Sequence, residues 1–200
     1  RSDYEEFKTF GVVIPKLYDP VSVLMLDFVG FTQMAASADP AVTVSELNDI
    51  YSAFDRIGEQ YGCERIKTMG DAYITVAGLP DPTPDHARAV ANAAIRFIRY
   101  LERRNEGHPN QWRCRIGIIS GPVVGSVVGI QKYVYDIFGP AVNLASRLQD
   151  LSEAMEITTN APIYDVLRDS FRFEYRGKQQ VRGFDEQDIF LLMDSREPIR

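Results

Sequence analysis

Two aspartates, each at the end of an apolar segment, are the side chains of this chain best suited to bind metal ions. Asp27 ends the run VSVLMLD, and Asp71 lies in the motif KTMGDAY. A nearly continuous apolar run is typical of a strand buried on both faces, so a carboxylate at its end is not an ordinary surface residue. Oxygen ligands in a site without His or Cys favour Mg²⁺ or Mn²⁺ over zinc. The pair predicts a two-metal site if the two strands are neighbours.

The segments around these aspartates predict the elements that position them. RIKTM, Gly70-Asp71 and AYITVAG are typical of the first strand, turn and second strand of a hairpin. Asp39-Pro40 predicts the start of a helix before this hairpin, and Thr83-Pro84 predicts the start of a long helix after it. Apolar residues at helical spacing predict the buried face of each helix. They are Val44, Leu47, Tyr51, Phe54 and Ile57 in the first helix, and Ala87, Val90, Ala91, Ala94, Ile98 and Leu101 in the second.

The second half of the chain predicts further strands and two shorter helices. Strands over about 112–120 and 123–129 are predicted to join at Gly121-Pro122, followed by a short strand through Tyr135. A helix is predicted from Pro140 to about Asp150, then a helix near 161–169 and strands near 171–181 and 188–193. The order strand, helix, hairpin, helix, strand indicates an α+β fold with a ferredoxin-like βαββαβ core and extra C-terminal elements. We assign residues 1–20 to a lead-in segment, 21–194 to one domain and 195–200 to a tail.

Composition limits the classes of partner. Two hundred residues with 45% apolar content can bury a core, whereas a net charge of −6 argues against a nucleic-acid partner. No apolar run approaches the roughly 20 residues that span a bilayer, so we expect no membrane contact by this segment. Cys63 and Cys114 are too few for a disulfide framework and are expected to pack in a reducing cytoplasm. The chain begins with Arg1 rather than Met, which indicates a piece of a longer protein that could itself be membrane-anchored.

Five motifs together resemble a known family. DFVGFT, MGDAY, RIGIISG, YDIFG and VNLASR occur in the order and at the spacing of the class III nucleotidyl cyclases, the adenylyl and guanylyl cyclases, from about Val21 to about Leu192. The resemblance implies the same fold and two Mg²⁺ or Mn²⁺ ions per active site, held by Asp27, Asp71 and the backbone carbonyl of Phe28. One ion would lower the pKa of the ribose 3′-hydroxyl, and the other would bind the triphosphate.

The helix from Pro140 separates packing from chemistry. Its apolar positions predict a core face made of Ala141, Leu144, Ala145 and Leu148. Asn143 and Arg147, four residues apart, share another face, and such pairs on an isolated helix usually form a solvated polar surface. The resemblance implies that Asn143 positions the ribose and that Arg147 stabilises charge on the α-phosphate.

The resemblance also assigns base selection to Lys67 and Asp136. In the family, Lys and Asp at these positions accompany adenine, whereas Glu and Cys or a small polar residue accompany guanine. Adenine offers an acceptor at N1 and a donor at N6, which match a lysine that only donates and an aspartate that only accepts. A salt bridge between the two is the structural alternative, and it is compatible with binding the base.

Two arginines match family positions that bind the β- and γ-phosphates. Arg115 precedes IGIISG, and Arg182 lies in VRGF. The family more often has Lys at the position of Arg182. A guanidinium keeps the charge but has a different binding geometry from an ammonium.

The resemblance implies an adenylyl cyclase that acts as a homodimer. Lys67, Met69 and Asp71 are expected on one face of a strand, yet the base and the metals lie at opposite ends of a bound ATP. Head-to-tail pairing with two interfacial sites resolves this conflict. The alternatives are a guanylyl cyclase and a catalytically silent regulatory module. A diguanylate cyclase would need a GGDEF-type turn, and this chain has MGDAY instead. A sensor or regulatory domain is expected upstream.

Overall fold

The computed structural model describes residues 15–128 and 134–198. The strands of this part are β1 (Lys16–Phe28), β2 (Glu64–Met69), β3 (Ala72–Ala77), β4 (Cys114–Val128), β5 (Val134–Phe138), β6 (Ile157–Asn160), β7 (Phe171–Gln179) and β8 (Gln187–Ser195). The helices are α1 (Phe31–Ser37), α2 (Pro40–Gln60), α3 (His86–Asn105), α4 (Pro140–Leu151) and α5 (Ala161–Leu167). No helix of the described part is both long and apolar enough to cross a bilayer.

One mixed sheet organises the chain. Its strand order is β2-β3-β1-β4-β6-β8-β7, and β5 pairs with β4 outside this path. The four strands β2, β3, β1 and β4, with α2 and α3 as the connecting helices, form the predicted ferredoxin-like core. The α+β fold and the predicted hairpin of β2 and β3 are therefore confirmed. The helix α1 and the strand β6 were not predicted from the sequence.

The side chains of β1 point alternately to the two faces of the sheet, and each face is covered by an apolar layer. Leu24 and Leu26 pack in the layer that contains α2 and α3. Val21 and Val23 pack in the opposite layer, with Ala145 and Leu148 of α4. Successive side chains of a strand point to opposite faces, so Asp27 lies on the α4 face of the sheet.

The helices confirm most of the predicted apolar faces. All six positions of the stripe predicted for α3 are buried. In α2 the prediction is wrong at Val44, which is 51% exposed. The buried residue one turn before Leu47 is Thr43, because it lies on the same face of the helix as Leu47. The start of α3 is at His86 with Asp85 as its N-cap, not at Thr83-Pro84.

The structure corrects two strand boundaries. The strand β1 begins at Lys16, inside the segment predicted as a lead-in, because Lys16 and Tyr18 pair with Gly125 and Val123 of β4. The predicted break at Gly121-Pro122 is wrong, since β4 runs through it without interruption. Pro122 lies where the pairing register shifts between Tyr18 and Val21 of β1, and a proline is tolerated at such an irregularity because no ladder hydrogen bond needs its N–H.

Gly117 of β4 lies directly against the backbone of α4. A Cβ at this position would overlap the carbonyl oxygen of Ala145 and the amide nitrogen of Gln149. We expect Gly117→Ala to lower the free energy of unfolding by about 3 kcal/mol or more, because neither backbone atom can move as a flexible side chain would. Urea unfolding of the purified protein measures the change.

Gly58 supplies the matched control for this substitution. It is buried in α2, and the nearest atom to its added Cβ is the Cβ of Cys63, at 3.6 Å. Alanine is favoured over glycine in a helix by up to about 1 kcal/mol, so Gly58→Ala should be neutral or stabilising. Similar unfolding midpoints for the two variants would contradict the proposed close approach of α4 to β4.

Candidate functional site

The candidate site contains two groups of residues. The first, called the Asp27 group below, consists of Asp27 on β1, Arg115 on the neighbouring strand β4 and Asp71. Asp27 and Arg115 are register partners across these strands, so their side chains share one face of the sheet. The guanidinium of Arg115 donates from Nε to Oδ1 of Asp27 over 3.1 Å and from Nη2 to Oδ2 over 2.9 Å. Arg115 also lies 3.9 Å from a carboxylate oxygen of Asp150 on α4. Asp150 was not singled out from the sequence.

Asp71 lies in the turn of the hairpin formed by β2 and β3. Met69 pairs with Ala72, which leaves Gly70 and Asp71 as a two-residue turn. Gly70 has a φ of 59°, and Asp71 has no positive φ, a pattern that matches a type II′ turn. Burial raises the pKa of Asp71, and the negative charge of Asp27 adds to this rise, while the backbone N–H of Asp71 and the charge of Arg115 oppose it. The two carboxylates therefore lie within electrostatic reach of each other.

The chemistry of these groups fits a hard divalent cation. Across residues 15–128 and 134–198, no three His, Cys, Asp or Glu side chains come together as a ready-made metal site. Asp27 and Asp71 would therefore leave most coordination positions to the Phe28 carbonyl, water and phosphate oxygens, as is usual for Mg²⁺. The guanidinium of Arg115 stabilises the Asp27 carboxylate, whereas the raised pKa of Asp71 shows that burial and the Asp27 charge disfavour its ionised form. A divalent cation bound between the two carboxylates would offset both effects.

Two buried tyrosines support the strands that carry these aspartates. The hydroxyl of Tyr51 donates to the carbonyl oxygen of Gly70 over 2.8 Å, and the hydroxyl of Tyr73 donates to Asp55 over 2.7 Å. Burial raises the pKa of both tyrosines, with the Asp71 charge adding to the rise at Tyr51. Both hydroxyls therefore remain donors at neutral pH. The sequence predicted Tyr51 as a buried helix residue, but its hydrogen bond could not be inferred from spacing.

The second group, called the Lys67 group below, consists of Lys67 on β2 and Asp136 on β5. The ammonium of Lys67 lies 2.7 Å from Oδ2 of Asp136, and Oδ1 of Asp136 accepts from the backbone N–H of Ile137 over 2.8 Å. The side chains of Lys67 and Asp136 are 29% and 14% exposed. The salt bridge that was the structural alternative for this pair is therefore present. It places a donor and an acceptor side by side.

The helix α4 confirms the predicted separation of its faces. Ala141, Ala145 and Leu148 are buried, and Leu144 packs partly against the same layer. Asn143 and Arg147 are exposed.

Arg182 is also exposed, in the loop between β7 and β8. Its neighbours Val181 and Phe184 pack in the apolar layer of α4, which places the loop on the same side of the sheet. Within the described ranges, no hydrogen bond or ion pair joins the Asp27 group to the Lys67 group.

Comparison with known proteins identifies what this arrangement is similar to. A family model described as adenylate and guanylate cyclase catalytic domain matches residues 13–194. A protein named adenylate cyclase from Mycobacterium tuberculosis (strain ATCC 25618 / H37Rv) is 40% identical over 171 residues, which are 86% of this chain and 39% of that protein. The chain thus spans about two-fifths of the length of this curated relative.

Two solved structures share the fold closely. The adenylyl cyclase CyaB from P. aeruginosa superposes with a TM-score of 0.87 at 25% identity, covering 94% of this chain and 100% of that one. The guanylate cyclase domain of RhGC from Catenaria anguillulae, in complex with GTP, also has a TM-score of 0.87, at 27% identity, covering 90% of this chain and 100% of that one. The fold is therefore shared by proteins named for either nucleotide.

Proposed function

The chain belongs to the family of adenylate and guanylate cyclase catalytic domains, and on this premise we propose that it converts ATP to 3′,5′-cyclic AMP and pyrophosphate. The choice of ATP over GTP rests on the ion pair between Lys67 and Asp136, whose Nζ and Oδ2 atoms are 2.7 Å apart. Lysine donates to the N1 acceptor of adenine, and the aspartate accepts from the N6 amino group. Guanine reverses both groups and would face two mismatched partners.

The reaction is an intramolecular phosphoryl transfer. The ribose 3′-oxygen bonds to the α-phosphorus while the bond from that phosphorus to the bridging oxygen of pyrophosphate breaks, and the 3′-hydroxyl proton passes to solvent water. Divalent ions bound at Asp27 and Asp71 would lower the pKa of this hydroxyl and offset the charge of the triphosphate. Asn143 orients the ribose, and Arg147 stabilises the negative charge that develops on the α-phosphate. We assign no side chain as general base.

The triphosphate requires further positive charge, for which Arg115 and Arg182 are the proposed sources. Arg115 holds Asp27 through two hydrogen bonds, so binding phosphate means exchanging carboxylate oxygens for phosphate oxygens. Carboxylate oxygens and phosphate oxygens both fit the two parallel N–H donors of a guanidinium. The exchange therefore replaces each hydrogen bond that Arg115 loses with another. The exposed position of Arg182 on the α4 side of the sheet leaves it accessible to a phosphate.

We propose that the active unit is a head-to-tail homodimer with two sites at its interface. This arrangement brings the Asp27 group of one subunit to the Lys67 group of its partner. Within one chain, no hydrogen bond or ion pair among the described residues joins the two groups. Large apolar side chains are exposed next to both groups: Met69, beside the Asp71 turn, is 63% exposed, and Phe138, beyond Asp136, is 43% exposed. A partner subunit would cover such residues.

Incubating the purified protein with Mn²⁺ and either ATP or GTP tests the proposed function directly. Chromatographic separation of the products is expected to show cyclic AMP and pyrophosphate from ATP, with much less cyclic GMP from GTP. Preferential conversion of GTP would favour a guanylyl cyclase, and no cyclic product from either nucleotide would favour the silent regulatory module.

Inverting the base-reading pair should change the preferred nucleotide. We expect Lys67→Glu combined with Asp136→Cys to lower the ratio of ATP to GTP turnover by at least about tenfold, since an unpaired buried polar group costs about 1–3 kcal/mol. Both positions are changed together because Lys67→Glu alone would place a carboxylate against Asp136, whose partner lies 2.7 Å away. Competition between the two nucleotides in one reaction measures the ratio.

A remote ion pair supplies the control for this double substitution. Arg99 of α3 and Asp194 of β8 are joined over 2.6 Å and are both more than one-third exposed. Arg99→Glu combined with Asp194→Cys should leave the nucleotide ratio unchanged. If the Lys67 and Asp136 variant folds and keeps the wild-type ratio, these residues do not read the base.

A further inference from the structure

One buried side chain contacts both segments that carry the aspartates of the candidate metal site. The ring of Tyr51, on α2, lies 6.1 Å from the ring of Phe28, the residue that follows Asp27. The hydroxyl of the same tyrosine donates to the carbonyl oxygen of Gly70, the residue that precedes Asp71. Asp27 and Asp71 come from different strands, so a contact common to both segments can influence their separation.

The Asp71 turn has little other support from the body of the domain. Met69 and Gly70 are exposed, and apart from Gly70 itself and its two chain neighbours no atom lies within 4 Å of the position that a Cβ would take at Gly70. The strand β2 that leads into the turn is irregular, because its pairing with β3 shifts register between Arg65 and Lys67. The hydrogen bond from Tyr51 therefore holds the turn at a point where packing does not.

We propose that Tyr51 is a positioning residue that sets the separation of the Asp27 and Asp71 carboxylates by tying the hairpin turn to the end of β1. The expected effect on catalysis rests on the proposed function. The expected effect on the turn does not, because it is independent of any substrate. A carboxylate must be held within about half an ångström of its productive position for a site to work well. Loosening the Gly70 contact should therefore weaken binding of a divalent ion.

Tyr73 provides a control that separates positioning from ordinary core packing. Its ring lies 5.3 Å from the ring of Tyr51 in the same aromatic cluster, and it is also buried. Its hydroxyl donates to Asp55, not to the turn, and Asp55 keeps Arg65 as a partner at 3.3 Å. Tyr51→Phe and Tyr73→Phe each remove one buried hydroxyl, but only the first removes a hydrogen bond to the turn.

The test compares these two variants with the wild-type chain, each at a temperature well below its thermal unfolding midpoint. Amide hydrogen exchange followed by mass spectrometry reports on peptides that cover 69–72, and electron paramagnetic resonance of free Mn²⁺ reports binding of the metal alone. We expect Tyr51→Phe to speed exchange in 69–72 several-fold and to weaken Mn²⁺ binding about five- to tenfold. Tyr73→Phe should match the wild type in both measurements.

The dependence of the cyclisation rate on Mn²⁺ concentration is a further readout. In activity assays, Tyr51→Phe should raise the Mn²⁺ concentration needed for half-maximal rate more than it lowers the rate at saturating Mn²⁺. The proposal is overturned if exchange in 69–72 or Mn²⁺ binding is unchanged in Tyr51→Phe, or if Tyr73→Phe changes both equally. A wild-type protein that forms no cyclic nucleotide would refute the proposed function, while hydrogen exchange and Mn²⁺ binding would still decide the role of Tyr51.

Discussion

Replacing Asp71 or Asp27 with alanine is expected to reduce cyclic AMP formation by about three orders of magnitude or more. Each substitution removes a carboxylate predicted to hold the divalent ions, whose stabilisation of transition-state charge is worth several kcal/mol, with each 1.36 kcal/mol equal to tenfold in rate. The measurement is the rate of cyclic AMP production at saturating ATP and Mn²⁺. Near-wild-type turnover by either variant would show that the metal assignment is wrong.

The two substitutions should differ in their effect on stability, which separates lost chemistry from lost folding. Asp71 makes no side-chain ion pair with another described residue, so Asp71→Ala should stay within about 0.5 kcal/mol of the wild type in unfolding free energy. Asp27→Ala removes both hydrogen bonds of Arg115. That pair is partly exposed, so we expect a loss of at most about 1 kcal/mol. Urea unfolding of both variants provides the comparison.

Mixing two inactive variants should restore activity if each site is shared between subunits. Asp27→Ala lacks a residue of the metal-binding half, and Arg147→Ala lacks a residue of the α4 half. In a mixed dimer one site carries both lesions, and the other is intact. Random pairing makes about half of the dimers mixed, each with one working site of two, so recovery should approach about a quarter of wild-type activity per total subunit.

A second mixture controls for recovery that does not depend on shared sites. Asp27→Ala mixed with Asp71→Ala cannot form an intact site in any dimer, because both lesions fall in the same half. Co-purification of differently tagged chains must first show that subunits exchange. Verified mixed dimers of the Asp27 and Arg147 variants that remain inactive would show that the residues act within one chain's site or that the two sites are strongly coupled.

Local signals in the sequence were sufficient for most of the fold. The hairpin depends on Gly70, whose positive φ suits a two-residue turn. The start of α2 depends on Asp39, whose side chain accepts from the backbone N–H of Ala41 over 2.9 Å. Such signals act over a few residues, and the helical period of α3 and α4 is likewise local. The order of the ferredoxin-like core could therefore be predicted before any tertiary contact was known.

Prediction failed where neighbours along the chain are not neighbours in the sheet. Gly121-Pro122 has the composition of a turn, yet β4 continues through it because β1 supplies a matching irregularity from about one hundred residues away. The strand β6 is short and becomes a strand by pairing with β4 and β8. The lead-in residues from Lys16 onward become strand for the same reason.

Each motif that contains Asp27, Asp71, Lys67 or Arg147 is a short continuous segment, so the sequence alone was enough to predict which residue types are available for chemistry. The partners of these residues follow from the tertiary structure, since the bonds involved join residues far apart in sequence. Arg115 binds Asp27, Lys67 binds Asp136, and the hydroxyl of Tyr51 reaches the Gly70 carbonyl. Which side chains share a face, and which charges meet, depends on strand register, and register is set by the packing of both faces of the sheet.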